Sequence, residues 1–108
     1  MPDLKPNELE ALRKLKEALV RDFRLVDLRL FGSKARGDSG PESDIDVRIV
    51  LEEADWETQK AVYDLCYRLG LEHHTVISPV LYSRVEFELP IRKITPLYQV
   101  VAREGVLL

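Results

Sequence analysis

Apolar and polar residues alternate at helical spacing near the start of the chain. From Leu9 to Leu19 a leucine stands at every third or fourth position, and most of the residues between them are charged. This pattern is typical of an amphipathic helix that packs one face on a core. Asn7 is followed three residues later by Glu10, which is close to the capping-box pattern, so the helix is predicted to begin at Asn7.

Two later segments alternate between apolar and polar residues with a period of two, which indicates half-buried strands. The first ends in LRLF, directly before Gly32, and the second lies within SDIDVRIVL. In the second strand Ile45 and the apolar residues after it share one face, whereas Asp44, Asp46 and Arg48 share the other. Both aspartates are therefore expected on the side of the sheet away from the main core.

The middle of the chain predicts a second helix and a third strand. The helix runs from about Asp55 to Leu69, with Trp56 among its buried positions, and Gly70 ends it. The segment HHTVISPVLY follows as a strand. On a strand, His73 and His74 would point to opposite faces, so they could not both serve one site.

The last third of the chain carries two helix starts. Ser83 and Glu86 form an S-x-x-E capping box, and Thr95-Pro96 opens a final helix that stops at Gly105. The closing GVLL predicts a short edge strand or a docking tail. The element order predicts an α+β (or α/β) fold, in which a small mixed sheet carries helices packed on one face.

Composition adds limits on the class of protein. With 108 residues, of which 45% are hydrophobic and 32% charged, residues 1–108 are expected to form one globular domain. The net charge of −3 argues against general nucleic-acid binding. A single cysteine, Cys66, excludes an internal disulfide. No signal peptide or membrane span is visible, so a cytoplasmic location is expected; whether the chain forms a homo-oligomer stays open.

The segment GSKARG predicts a phosphate-binding turn after the first strand. It matches the start of a P-loop, but Asp38 and Ser39 stand where that motif requires Lys and Ser/Thr. A glycine-flanked turn remains. Gly32 lets the backbone approach a bound group, and Ser33 offers a hydroxyl and an amide to an anion.

The basic residues near this turn have alternative roles. Arg36 either holds a phosphate or pairs with Asp38 or Glu42, and Lys34 is expected to be solvent-exposed. Arg48 shares the face of the aspartates, where it either neutralises them or touches a substrate.

Asp44 and Asp46 predict a metal site. Residues that are two positions apart on a strand lie roughly 7 Å from each other, which is near enough for both carboxylates to reach one cation or a pair of cations. Magnesium prefers oxygen ligands and is usually held by one or two carboxylates plus substrate phosphates. A magnesium ion would relieve the repulsion between the two aspartates and bridge them to a phosphate chain held by the turn.

The string G-S-x-A-R-G…S-D-I-D, which covers Gly32 to Asp46, resembles the signature of the minimal nucleotidyltransferases in the DNA polymerase β superfamily. The resemblance implies a polymerase β-like palm fold and the transfer of AMP from Mg-ATP to a hydroxyl group. In this family the acceptor is often a tyrosine on a HEPN-domain ribonuclease toxin, for which the nucleotidyltransferase is the antitoxin.

The resemblance also assigns roles to residues. Gly32 and Ser33 would bind the triphosphate of ATP, and Arg36 would help to hold the phosphates or the loop. Asp44 and Asp46 would bind Mg²⁺ and act as the catalytic residues.

One departure from the family pattern leaves a rival function open. The family usually supplies a third carboxylate from the next strand, but HHTVISPV contains no acid. That position is expected at Thr75, with Ser78 as the alternative, and Glu72 just before the strand is a possible substitute. Without the third acid, the chain could be a non-catalytic antitoxin or binding module that neutralises its partner by complex formation.

Overall fold

The structure is a computed structural model that describes residues 2–40 and 43–108. The predicted order of the main helices and strands is confirmed, and α5 is an addition to it. In chain order the elements are α1 (Pro6–Asp22), β1 (Leu25–Phe31), α2 (Gly32–Arg36), β2 (Ile45–Leu51), α3 (Trp56–His73), β3 (Ile77–Ser83), α4 (Arg84–Glu88), α5 (Pro90–Lys93), α6 (Pro96–Glu104) and β4 (Val106–Leu107).

The four strands form one mixed sheet in the order β3-β2-β1-β4. Strand β1 pairs antiparallel with both β2 and β4, whereas β2 and β3 are parallel. A parallel pair needs a long crossover, which α3 supplies. The closing GVLL forms the edge strand β4, so the first of its two predicted alternatives is confirmed.

The two long helices, α1 and α3, pack on one face of the sheet and form the core with it. Leu15 and Leu19 of α1, Val47 and Ile49 of β2, and Val62 of α3 have no exposed surface. Burying each of these side chains contributes roughly 1.5–3 kcal/mol to folding. The core thereby fixes the face on which β2 presents its aspartates.

The other face of the sheet is partly covered as well. Val50 of β2 and Val101 of α6 are completely buried, and the Phe87 ring of α4 lies over Arg48. The prediction of helices on one face therefore holds for α1 and α3, while α4 and α6 add a smaller second layer. The half of this face that carries Asp46 is left more open, because Asp46 is only half-buried.

The first helix begins one residue earlier than predicted. Pro6 is its first residue, and the Lys5 backbone amide donates to Glu8 Oε1 at 2.9 Å. Asn7 lies inside the helix, where its Nδ2 donates to the His73 carbonyl at 2.7 Å. Asn7 therefore joins the start of α1 to the end of α3 instead of capping α1.

The predicted end of the second helix was wrong. Helix α3 continues past Gly70 to His73, and His74 ends it with a positive φ of 56°. A Cβ at Gly70 would lie 2.7 Å from the Thr75 carbonyl oxygen, so Gly70 is required by close packing against the next loop. His73 and His74 are thus the end of a helix and its cap, not strand residues. The prediction that Trp56 is buried was also wrong, because its side chain is 66% exposed.

In residues 2–40 and 43–108, no helix combines the length and the apolar character needed to cross a bilayer.

Candidate nucleotide and metal site

The glycine turn and the aspartates meet at the end of the β1–β2 pair. Phe31, the last residue of β1, is the register partner of Asp46. The next residue, Gly32, has a φ of 75°, and a Cβ there would lie 2.5 Å from Asp46 Oδ2. Only glycine combines this backbone conformation with such close approach, so the turn and the carboxylate are in direct contact.

Helix α2 supplies amide groups beside this contact. Gly32 and Ser33 are its first two residues, and the amides of a first helical turn have no acceptor within the helix. The helix closes after one turn, where Gly37 (φ 85°) donates its amide to the Ser33 carbonyl at 2.9 Å. The arrangement leaves backbone donors next to the Asp46 carboxylate, as the sequence predicts.

Asp44 and Asp46 place two negative charges at the start of β2. Asp46 is the second residue of β2, and Asp44 lies just before that strand. Burial, followed by the neighbouring charge of Asp44, raises the pKa of Asp46 above its ordinary value, and the charge of Arg36 offsets only part of this. The two carboxylates therefore lie close enough to repel, which favours a cation between them.

Ser78 occupies the place on β3 beside the aspartates. It is the register partner of Asp46, and its Oγ donates to Asp44 Oδ2 at 3.1 Å. Thr75 precedes β3, and its hydroxyl lies 3.5 Å from Glu8 Oε2 instead. Of the two alternatives for the third position, Ser78 lies on β3 in contact with Asp44, whereas Thr75 precedes the strand. Glu72 is an exposed residue of α3.

Lys34 is buried, contrary to the prediction that it is exposed. Its side chain is 2% exposed, and Nζ lies 2.9 Å from Oε2 of Glu8, which is 5% exposed. The backbone of the chain start covers it, since the Asp3 amide donates to the Lys34 carbonyl at 2.7 Å. The sequence held one signal that was missed: Glu8 shares the apolar face of α1 with Leu12 and Leu15, and a buried acid requires a cationic partner.

Arg36 has two carboxylate partners at the rim of the site. Its Nε donates to Asp38 Oδ2 at 3.1 Å and its Nη1 to Glu104 Oε2 of α6 at 3.2 Å. The predicted alternative partner Asp38 is confirmed, whereas Glu42 lies outside the described residues. The charge of Arg36 lowers the pKa of Asp46, so it reaches the site; its contact with a nucleotide stays a prediction.

Arg48 is directed away from the aspartates. It is 5% exposed, and its Nη2 donates to Asp27 Oδ2 at 2.7 Å. Its guanidinium carbon lies 4.5 Å from the centre of the Phe87 ring. It therefore pairs with Asp27 rather than neutralising Asp44 or Asp46.

Cys66 is packed in the core, where burial raises the pKa of its thiol to about 12, so it is unreactive at neutral pH.

Comparison with known families decides how this geometry is to be interpreted. Residues 12–101 match the family model described as "Nucleotidyltransferase domain". The chain belongs to this nucleotidyltransferase family. The match includes α2, both aspartates and Ser78, which are the parts of the fold that build the site.

Two proteins of Methanocaldococcus jannaschii are similar in sequence to this nucleotidyltransferase, and each is named "Putative protein adenylyltransferase". One is 38% identical over 83 residues, which cover 75% of this chain and 79% of the relative. The other is 32% identical over 80 residues, which cover 70% of this chain and 80% of the relative.

Solved structures share the fold of this nucleotidyltransferase. A structure described as a "putative minimal nucleotidyltransferase" is 28% identical, with a TM-score of 0.61 and coverage of 93% of this chain and 95% of that one. A toxin–antitoxin structure with AMP-PNP is 20% identical, with a TM-score of 0.60 and coverage of 91% and 69%. A structure of a tri-AMPylated Shewanella oneidensis HEPN toxin in complex with MNT antitoxin contains a chain that is 18% identical, with a TM-score of 0.53 and coverage of 94% of this chain and 70% of that one. The resemblance to minimal nucleotidyltransferases and the predicted fold are confirmed.

The donor set of this nucleotidyltransferase domain fits a hard divalent cation that is shared with a substrate. Mg²⁺ is commonly bound by one or two protein carboxylates, with phosphate oxygens of a substrate among its other ligands. Among the described residues, no group of three or more His, Cys, Asp or Glu side chains could hold a metal alone. Asp44 and Asp46 would therefore hold such a cation only together with further ligands, such as the oxygens of a bound nucleotide.

Proposed function

We propose that this nucleotidyltransferase domain transfers AMP from Mg-ATP to a hydroxyl group on a partner protein. The observation that carries the proposal is the contact of Gly32 with Asp46, where an added Cβ would lie 2.5 Å from Oδ2. This contact brings the backbone of the glycine turn, on one side, against the Asp46 carboxylate, on the other side, which the proposal assigns to Mg²⁺. A phosphate group coordinated to a cation is the ligand that satisfies both sides.

Each predicted site residue has a role in this proposal. The backbone at Gly32 and Ser33 holds the phosphates, and Arg36 holds the loop or a phosphate oxygen. Asp44 and Asp46 hold Mg²⁺, which when bound neutralises charge on the phosphate oxygens. The hydrogen bond from Ser78 fixes the orientation of the Asp44 carboxylate.

The proposed reaction is an in-line displacement at the α-phosphorus. The acceptor hydroxyl oxygen forms the new bond to phosphorus and gives its proton to water. The bond between the α-phosphorus and the bridging oxygen breaks, and pyrophosphate leaves with that electron pair. The chain would contribute in two ways. It holds the phosphates in line with the acceptor, and it places the positive charges of Mg²⁺ and Arg36 near the negatively charged phosphate oxygens.

The proposed acceptor lies on a HEPN-domain toxin, for which this chain would be the antitoxin. Two kinds of observation support this assignment. The relatives are named for adenylyl transfer to protein, and one structure with the same fold contains an MNT antitoxin with a tri-AMPylated HEPN toxin. ATP and such a toxin are therefore the proposed partners.

The second candidate is a non-catalytic antitoxin that neutralises its partner by binding it. The observation that favours it is Ser78, which stands beside the aspartates where the family resemblance leads one to expect an acid. A site with one acid fewer would hold its cation more weakly.

Labelled ATP separates the two candidates. The chain is incubated with Mg²⁺, a HEPN-domain protein and ATP labelled either on the α- or on the γ-phosphate. Adenylyl transfer predicts partner labelling from the α-label only, and loss of labelling in Asp46→Asn. Asp64→Asn, which changes an exposed carboxylate on α3, is the control that keeps activity. A stable complex that gains no label supports the binding module.

A further inference from the structure

An open cavity lies on the face of the sheet that carries Asp46. It has a volume of about 480 Å³ and is lined by residues of β1 and β2 and of α4 and α6. Arg48, which lines it, stands two residues after Asp46 on the same face of β2, roughly 7 Å away by the strand rise. The charged and aromatic residues that line the described part of the cavity are Asp27, Arg29, Arg48, Phe87 and Tyr98.

The polar wall of this cavity carries excess positive charge. Arg29 and Arg48 are direct register partners on β1 and β2, and like charges in that position destabilise a sheet. Both donate to a single oxygen, Oδ2 of Asp27, at 3.1 Å and 2.7 Å. One carboxylate thus balances two guanidinium groups, and the buried Nε of Arg48 has no hydrogen-bond partner in the described part of the chain.

The opposite wall is aromatic. The Phe87 and Tyr98 rings lie 5.5 Å apart, centre to centre, and are tilted by 35°. The Arg48 guanidinium already stacks on Phe87 at 4.5 Å. Ring faces together with guanidinium planes bind planar heteroaromatic groups by stacking, and the unbalanced charge favours a ligand that is also an anion.

We propose that this cavity is the nucleoside subsite of the same nucleotide site. The inference rests on the proposed function, because it takes the phosphates to lie at Gly32 and Asp46. From there the sugar and base follow the face of β2 towards Arg48, and the base lies between the aromatic wall and Arg29. A smaller cavity of about 210 Å³ flanks Asp44 on the other side, and the described residues that line it include no Phe, Tyr or Trp.

Binding of two probes isolates the base from the phosphates. Dissociation constants for ATP and for inorganic tripolyphosphate are measured calorimetrically in Mg²⁺ for the wild type, Phe87→Leu and Tyr98→Leu. Because stacking on an aromatic side chain supports base binding, each substitution is expected to raise the dissociation constant for ATP about tenfold. The dissociation constant for tripolyphosphate is expected to stay unchanged. Tyr63→Leu, at an exposed aromatic on α3, is the control that leaves both unchanged.

A second readout does not depend on any variant. In NMR spectra of the wild type, the ring protons of Phe87 and Tyr98 are expected to shift on addition of Mg-ATP and not on addition of Mg-tripolyphosphate. The inference is overturned if both rings are insensitive to ATP, or if folded Phe87→Leu and Tyr98→Leu bind ATP as the wild type does. If the wild type binds neither probe, the proposed function fails and the subsite with it.

Discussion

The two basic residues of the glycine turn, Lys34 and Arg36, are held in opposite ways. Lys34 is buried against Glu8, whereas Arg36 is exposed and divided between Asp38 and Glu104. A broken buried pair leaves a charge stranded away from water, but a broken surface pair is replaced by solvent. The turn is therefore anchored on its α1 side and adjustable on its α6 side.

The anchored side predicts the largest effect. Glu8→Gln leaves the Lys34 ammonium buried without a counter-charge, which is expected to cost about 3–5 kcal/mol of unfolding free energy. The melting temperature should then fall by more than about 10 °C in a domain of this size. Thermal unfolding followed by circular dichroism measures this.

A matched control and a rescue sharpen the test. Glu10→Gln removes an exposed acid of the same helix that pairs with Arg13, and it should change the melting temperature little. The double variant Glu8→Leu with Lys34→Met removes both charges and should regain most of the loss. A loss as small as that of Glu10→Gln would show that the buried pair is not an anchor.

The contact between the turn and Asp46 predicts the next effect. Gly32→Ala places a Cβ 2.5 Å from Asp46 Oδ2 at a φ of 75°, so the left-handed backbone costs about 1–2 kcal/mol and the carboxylate must move. Binding of Mg-ATP is expected to weaken at least tenfold, since misplacement by about 1 Å can cost that much or more. Gly40→Ala is the control, because the nearest atom to its Cβ is Ser43 Oγ at 3.7 Å. Equal binding by both variants would contradict a site at Gly32.

A smaller effect on folding stability is expected from Asp46, and this effect depends on pH. Because the folded state raises the pKa of Asp46, the folded protein binds this proton more tightly than the unfolded chain does. The contribution of Asp46 to the stability of the metal-free protein therefore falls as the pH rises from the unfolded pKa, about 3.9, through the raised folded value.

Asp46→Asn removes this dependence. In EDTA the variant should melt slightly above the wild type at pH 7.5, and the difference should vanish below pH 4. Addition of Mg-ATP should raise the melting temperature of the wild type only. A variant that melts below the wild type in EDTA at pH 7.5 would show that the carboxylates are balanced within the protein.

The adjustable side of the turn predicts the smallest effect on stability. Glu104→Gln removes one partner of an exposed arginine, so the melting temperature should change by less than about 2 °C. If Arg36 moves to the phosphates when a nucleotide binds, the same variant should bind Mg-ATP at least as tightly as the wild type. Weaker binding would show instead that Glu104 holds Arg36 in its working position.

The sequence was sufficient where its signals are local. The leucine spacing of α1, the alternation along β2 and the caps at Ser83 and Thr95 each follow from a few neighbouring residues, and the structure confirms them except at Leu9, which is 53% exposed. The proximity of the glycine turn to the aspartates was also predicted, because a phosphate chain bridged by a cation needs both.

The failures share one cause, which is a partner distant in sequence. Lys34 is buried because Glu8, 26 residues away, folds over it. Gly70 lies within its helix and does not end it. A glycine is needed there because the Thr75 carbonyl packs closely against its backbone. Arg48 was placed on the correct face, but its cover by Phe87 depends on where the later helices fold back.

The most direct measurement is a crystal structure of the chain with Mg²⁺ and an ATP analogue that cannot be cleaved between the α- and β-phosphates. We expect phosphates against the backbone amides at Gly32 and Ser33, and Mg²⁺ bound by both Asp44 and Asp46. A phosphate chain that lies elsewhere, or a cation that contacts neither aspartate, would contradict the proposed nucleotide site.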